Sequence, residues 1–197
     1  MTHIGNIPHI LEYGITHSGS VNANAEYRPI GDTSIIRKRC DFELTNGLYL
    51  SDCIPFYFWG RMPMLYVIQN GGNHVDMVKP EEIVYCVCSL KRILELGVNF
   101  MFTDGHALAK GLTKLYLRGE VERINEVLDW EAIRIKYWKT DHDLDLKRRK
   151  EAEFLCLGDI PVNFVNGFVV YDNGAFDKLK GMGVPEHKVR VKRDFYF

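Results

Sequence analysis

The chain has 197 residues, 46% hydrophobic and 26% charged, ordinary usage for a globular domain long enough to bury a real core. A formal net charge of -1 and a pI near 6.7 exclude a generally basic nucleic-acid coat, so any contact with nucleic acid must come from a local patch such as residues 147–150 or 190–193. No apolar run reaches the roughly 18 residues of a membrane span, and the N-terminus lacks the basic and apolar regions of a signal peptide, so a cytoplasmic protein with no membrane partner is expected.

Asn6 stands where an N-cap would open a short helix ending at Gly14, and residues 18–24 read as a polar loop. On composition, Arg37-Lys38-Arg39 reads as an exposed basic turn. From residue 52 an aromatic strand runs until it breaks at Gly60 and presents Arg61; the chain turns again at Pro63, and residues 64–68 form another buried apolar segment. Residues 82–88 predict a strand, Ser89 caps a helix that stops at Gly97, and residues 98–102 predict the next strand. Asp104 is placed to cap a helix with His106 in its first turn, and helical period dominates residues 107–138. Strands follow over residues 153–157, 164–171 and 188–197, with a helix over 175–180. Glu151 goes with the solvated face of the basic run before it, whereas Glu153 leads an apolar strand. Strands interleaved with helices, without the strict rhythm of a doubly wound sheet, predict a mixed α/β (α+β) fold: a twisted, largely antiparallel sheet with flanking helices in a single domain over residues 1–197.

Five cysteines at irregular positions fit reduced thiols better than a disulfide framework. Cys86-Val87-Cys88 lies in an apolar alternation with no partner pair at zinc spacing, so buried thiols rather than a metal site are expected. There is no G-x-G-x-x-G after a strand and no G-x-x-x-x-G-K-[ST], which removes the Rossmann and P-loop modes of nucleotide binding. H-E-x-x-H and G-x-S-x-G are also missing. Residue types alone therefore reach an α/β domain with a candidate site and no named chemistry.

A longer-range pattern supplies the chemistry. Ile54-Pro55-Phe56-Tyr57-Phe58, followed by Arg61 and Pro63-Met64-Leu65-Tyr66, resembles the IPFYF-x-x-R-x-PMLY segment of the DarT family of DNA ADP-ribosyltransferases, and Ala152-Glu153-Phe154-Leu155 resembles the segment that carries that family's catalytic glutamate. The resemblance runs nearly the whole chain. Thr2-His3-Ile4-Gly5-Asn6-Ile7-Pro8-His9-Ile10-Leu11 with Gly14 is similar to the family's opening segment; Ile30-Gly31-Asp32 with Ile36-Arg37-Lys38-Arg39 is similar to the loop that delivers an essential arginine. Phe102-Thr103-Asp104-Gly105-His106-Ala107, Asp129-Trp130 and Arg193-Asp194-Phe195-Tyr196 match further landmarks in the same order. One departure stands out: the family has a histidine two residues before the threonine that Thr2 matches, a position that falls before Met1. A nicotinamide-side contact is therefore expected to be missing from this chain: either the start of the chain is short of the family's, or Thr2 and His3 serve alone.

The resemblance implies an ADP-ribosyltransferase-like fold that uses NAD as co-substrate, without a metal, to modify a base in single-stranded DNA. Thymidine is favoured and guanosine is the alternative. It implies catalytic roles for Arg39, Glu153 and His106, NAD contacts from Thr2, His3, His9, Gly14 and Arg39, and DNA contacts from Tyr57, Arg61 and Met64. It also implies a toxin whose partner is a macrodomain antitoxin. The residue types make chemical sense. Cleaving the nicotinamide–ribose bond builds positive charge on the sugar, which a fixed carboxylate such as Glu153 stabilises. Arginine, with a pKa above about 12, suits phosphate or base contact better than proton removal. Arg61 amid Tyr57, Phe58 and Trp59 suits stacking on an unpaired base. Two other readings keep the fold and change the function: a DNA-binding module that has lost transfer, and a transferase acting on protein.

Overall fold

A computed structural model describes residues 1–45, 47–72, 75–95 and 97–197, and its frame is two four-stranded sheets. In chain order the elements are β1 (Thr2–His3), α1 (Ile7–Tyr13), α2 (Thr33–Cys40), β2 (Glu43–Thr45), β3 (Leu48–Tyr49), β4 (Cys53–Tyr57), α3 (Pro63–Asn70), β5 (Ile83–Cys88), α4 (Leu90–Glu95), β6 (Phe100–Thr103), β7 (Leu115–Leu117), α5 (Ile124–Val127), α6 (Trp130–Arg134), α7 (Leu146–Lys150), β8 (Glu153–Leu157), β9 (Val165–Val170), α8 (Asn173–Gly181) and β10 (Val189–Val191). The first sheet has the order β1-β5-β9-β10, antiparallel except for the parallel β9–β10 pair. The second, β4-β8-β6-β7, is antiparallel throughout, and β2 and β3 form a separate ribbon.

The sheets bury their faces against different helices. Ile7 and Ile10 of α1 and Ala175 and Leu179 of α8 pack on Val84, Phe168 and Val170 of the first sheet. On that sheet's other side, Leu65 and Ile68 of α3 meet Ile83, Val169 and Tyr196. Phe100, Phe102 and Phe154 of the second sheet pack with Ile124, Leu128 and Ile133, and the Phe100 and Phe154 rings stack with centroids 4.5 Å apart. Side chains of this size, removed fully from water, contribute roughly 1.5–3 kcal/mol each. Strand β8 lies between β4 and β6, so the catalytic candidate Glu153 starts a strand buried on both sides, directly opposite Tyr57 of β4.

Several elements differ from the sequence reading. The helical period over residues 107–138 yields only α5 and α6, because β7 and a 3-10 turn (Arg118–Arg123) take the middle of that stretch to cover the edge of β6. Residues 37–39 lie on helix α2 rather than an exposed turn; Asp32 caps it, accepting from the N–H groups of Ser34 and Ile35. Asn6 does not cap α1 with its side chain, which is engaged elsewhere. Only residues 189–191 of the expected last strand pair in a sheet. Ser89 does cap α4, its Oγ accepting from the N–H of Arg92 at 3.2 Å; Leu96, inside the helix expected to stop at Gly97, lies outside the described residues. Cys86 and Cys88 sit on β5, where burial pushes their thiols up to about 11 and about 12, and among the described residues no three His, Cys, Asp or Glu side chains gather as a metal site. Among the described residues no helix is long and apolar enough to cross a membrane.

Gly14 ends α1 with φ of 83°, its N–H bonding the Ile10 carbonyl at 2.9 Å, while neighbouring Ile15 and Ile160 exchange both backbone hydrogen bonds at 2.8 Å. A Cβ at position 14 would run into the Ile160 carbonyl, so the position requires glycine for both conformation and space. Gly14→Ala is expected to destabilise the chain by about 2 kcal/mol or more, read as a lower urea midpoint. A midpoint equal to that of the parent would show that the bridge shifts without cost.

Candidate active site

Strand β5 is covered by β1 only at Ile83 and Val84, so its remainder is free to face β4, the edge strand of the second sheet. A cleft of about 460 Å³ opens there, lined by Cys53, Ile54 and Phe56 from β4, Cys86 from β5, Thr2, His9 and Ile10 from the N-terminal segment, and Tyr27, Ile36 and Arg39. Its shape depends on Asn6, a residue the sequence suggested only as a helix cap. The Asn6 amide donates to Thr2 Oγ1 at 2.8 Å and to the Arg28 carbonyl at 2.9 Å, and its oxygen accepts from the Arg28 N–H at 2.9 Å. One buried amide thereby ties β1 to the loop before α2.

At one end of the cleft stands a buried ion pair. Glu153 is fully buried, and its Oε2 accepts from Arg39 Nη1 at 2.8 Å. Its Oε1 accepts from the N–H of Ala107 at 2.9 Å. The backbone behind it is held as well: Thr103 Oγ1 accepts from the Glu153 N–H at 3.0 Å and donates to the Gly105 carbonyl at 2.7 Å. Arg39 also lines the cleft, and its Nη2 is buried with no partner among the described residues. A buried cationic donor left free beside an open cleft suits an oxygen-rich, anionic ligand, as a dinucleotide is.

His106 belongs to the same loop but not to a helix: its N–H bonds the Arg148 carbonyl at 2.9 Å, and Asp104 accepts from the Lys114 N–H and from Arg148 instead of capping anything. Burial lowers the His106 pKa, against a smaller opposing pull from Glu153. Its Nδ1 accepts from the Leu108 N–H at 3.2 Å, so the neutral ring carries its proton on Nε2 and presents a donor. Glu151, expected on a solvated face, is buried next to this cluster, and burial raises its carboxyl to about 7, opposed by Lys147 and reinforced by the Glu153 charge. Tyr57, across the strand pair from Glu153, has its phenol raised by burial and then by the Glu153 and Glu151 charges.

The other expected contacts are dispersed. Gly14 and His3 stand outside the cleft lining; the His3 ring accepts from the Gly5 N–H at 2.9 Å and faces Glu82 at 3.9 Å. Met64 is half-buried on α3. Arg61 is the only non-glycine residue at positive φ, 52°, among the described residues, held by hydrogen bonds from its N–H to the Phe195 carbonyl at 3.2 Å and to the Tyr85 hydroxyl at 3.4 Å. A second cavity, about 320 Å³ and lined by Tyr57, Trp59, Tyr85 and Phe195, shares Phe56 and Cys86 with the cleft. The basic run at residues 147–150 is not a free nucleic-acid patch. Arg148 pairs with Asp104 and Asp145, Arg149 with Asp129 and Asp143, and Lys150 is fully buried with Nζ on the carbonyls of Ile133 and Ile135 at 3.0 and 2.6 Å. Of the four, Lys147 alone is exposed.

Comparison with known proteins shows the family and the fold. The family model described as "ssDNA thymidine ADP-ribosyltransferase, DarT" matches residues 1–197. A DNA ADP-ribosyl transferase of Thermus sp. (strain 2.9) is 30% identical, the alignment covering 100% of this chain and 94% of that protein. The structure of Thermus sp. 2.9 DarT in complex with ADP-ribosylated single-stranded DNA superposes with a TM-score of 0.87 at 27% identity, over 100% of this chain and 93% of that one. The same protein in complex with NAD+ gives 0.81 at 26% identity, over 100% and 94%. A Thermosipho africanus fusion of a DNA ADP-ribosyl transferase with a DNA ADP-ribosyl glycohydrolase is 27% identical over 91% of this chain, which spans 44% of its length.

Glu151 yields a test of the site's electrostatics. Its carboxyl binds a proton more tightly in the folded chain than at the ordinary value of 4.5, so its contribution to stability is full below that pH and is lost as pH rises through about 7. Glu151→Gln should therefore stabilise the protein by up to about 3 kcal/mol near pH 8 and by nothing near pH 4. Urea unfolding of both proteins at the two pH values reads this directly. A gain of the same size at both would place Glu151 in an ordinary solvated setting.

Proposed function

Because the chain belongs to the DarT family of single-stranded DNA thymidine ADP-ribosyltransferases, we propose that Glu153 and Arg39 are the pair on which its transfer reaction turns. The chain is an NAD-dependent DNA ADP-ribosyltransferase, with NAD as the co-substrate. The observation that supports the assignment is the buried contact of the Arg39 guanidinium with the Glu153 carboxylate beside a cleft that Arg39 itself lines.

In the reaction the bond between the nicotinamide nitrogen and ribose C1′ breaks, and nicotinamide leaves with the electron pair. A ring nitrogen of the base forms the new bond to C1′ and releases its proton to solvent. Glu153, its two oxygens oriented by Arg39 and the Ala107 N–H, faces the positive charge that develops on the sugar; a preorganised charge of this kind needs no rearrangement at the moment of reaction. Arg39 Nη2 supplies a donor to the phosphates or to the base. His106 donates from Nε2 and positions the substrate. Thr2 and His9 line the end of the cleft that takes the dinucleotide, His3 and Gly14 support them from behind, and Tyr57, Arg61 and Met64 face the single strand. A paired base would first have to leave its stack, at a cost of a few kcal/mol, which favours single-stranded substrate.

The protein acts in the cytoplasm as a toxin, in one transferase domain over residues 1–197, and its partner is a macrodomain antitoxin that removes the modification. The glycohydrolase fused to the Thermosipho relative supports that pairing.

Glu153→Gln should lower transfer at least about 100-fold while leaving NAD affinity within a few-fold, since the lost interaction acts on the transition state. Circular dichroism checks the fold, because disturbing a buried pair is itself costly, about 3–5 kcal/mol when one partner is removed. Arg39→Ala should cost far more activity than Arg37→Ala, which sits exposed on the same helix. Equal small losses would return α2 to a solvated role. Mass spectrometry of reacted oligonucleotides reads the acceptor: the adduct belongs on thymidine, with duplex of the same sequence a poor substrate. An adduct on guanosine, or labelling of protein alone, would overturn the base assignment.

A further inference from the structure

Beside the second cavity, two segments far apart in sequence are joined by aromatic and cationic contacts. The Arg134 guanidinium lies over the Trp59 ring at 5.7 Å. Further along, Trp138 meets Tyr66 edge-on with centroids 5.7 Å apart, and Lys139 Nζ lies 5.9 Å from the same Tyr66 ring. Between these fastenings the chain runs Arg134-Ile135-Lys136-Tyr137-Trp138-Lys139, with three cations and no acid, in a protein of net charge -1. All but Trp138 are exposed: Tyr137 is 71% accessible with Lys136 Nζ over its ring, and Trp59 and Tyr66 remain 43% and 40% accessible. Core packing therefore does not account for these aromatics. The strip also joins the reaction site, since Trp59 lines the second cavity, whose Phe56 and Cys86 line the cleft as well.

We infer that Arg134, Lys136, Tyr137 and Lys139, with Trp59 and Tyr66, form a track that binds the nucleotides flanking the target base in single-stranded DNA. This rests on the single-strand reading of the substrate and adds where the rest of the strand lies. Exposed aromatic faces separated by cations match a chain of bases joined by phosphates: rings stack on bases of any sequence, and the ammonium and guanidinium groups meet the backbone charge. Duplex DNA keeps its bases stacked inside and offers the rings nothing. The track holds context, while the base to be modified is read in the cavity and cleft.

The test compares kcat/KM for a long thymidine-containing single strand with that for a trimer carrying the same target thymidine, in the full chain with NAD. In the parent, the long strand is the better substrate. Tyr137→Ala should reduce that preference about tenfold, as expected for loss of one stacked base. Lys136→Ala with Lys139→Ala should flatten the salt dependence of long-strand binding by about 0.7 in log–log slope for each lysine removed. Lys178→Ala, exposed on α8, controls for general loss of charge and leaves the preference and the slope as they are. Tyr137 is mostly exposed, so its truncation does not threaten the fold. A preference for the long strand unchanged in both track variants would overturn the inference while leaving the single-strand reading intact. No modification of any single strand by the parent would overturn both.

Discussion

The proposed active site is built around one desolvated ion pair, Arg39 with Glu153, which joins residues 114 apart in sequence. Taking a guanidinium and a carboxylate out of water is costly, and their attraction repays the cost only when the geometry is fixed and the remaining valences are met. The surrounding structure meets those conditions for Glu153. The Ala107 N–H takes its second oxygen, Thr103 Oγ1 takes its backbone N–H, and β4 and β6 flank its strand. Arg39, which lines the cleft, keeps one buried nitrogen without a partner among the described residues. The pair is therefore complete on its carboxylate side and unfinished on its guanidinium side, which is the asymmetry expected of a site that acts on a ligand.

The same condition explains why a basic run close to the carboxylate is not the nucleic-acid surface. A helix whose last turn carries Lys147, Arg148, Arg149 and Lys150 ends three residues before the buried Glu153. Aspartates at positions 104, 129, 143 and 145 engage both arginines, and the Lys150 ammonium bonds the carbonyls of Ile133, in α6, and Ile135, just past it. Burial lowers the Lys150 pKa to about 8, with the Arg61 charge adding to the shift. These cations fasten α6, α7 and the His106 loop together, and thereby carry α6 and the exposed segment after it into position beside Trp59. Positive charge is used structurally next to the carboxylate and is offered to solvent on the segment after α6.

Legibility in the sequence followed the range of the interactions. Local signals were reliable: the strand from Glu153, the alternation of β5, the Ser89 cap and the glycine ending α1 depend on neighbours a few residues away. The resemblance, being an ordered set of local motifs, likewise led to the family. What the sequence concealed depended on distant partners. Arg39 reads as an exposed cation until β8 brings a carboxylate to it, and Glu151 reads as one more surface charge until the fold closes over it. Asn6 has the residue type of a cap and serves as a clasp, because Arg28 arrives from 22 residues away. Over residues 107–138 an apolar period that fits a helix was overridden by the need of β6 for a neighbour.

Arg61 carries a consequence for how this protein changes over generations. A side-chain-bearing residue in the left-handed region costs roughly 1 kcal/mol relative to glycine, and at this position the strain sits in a backbone clamped by Phe195 and Tyr85. Substitution by glycine would make the fold easier to maintain, so at this position stability pulls against arginine. The guanidinium persists only where selection for its use outweighs that pull. Where Arg61 serves the proposed contact with DNA, the strained backbone makes this arginine a position that function holds and stability alone would release.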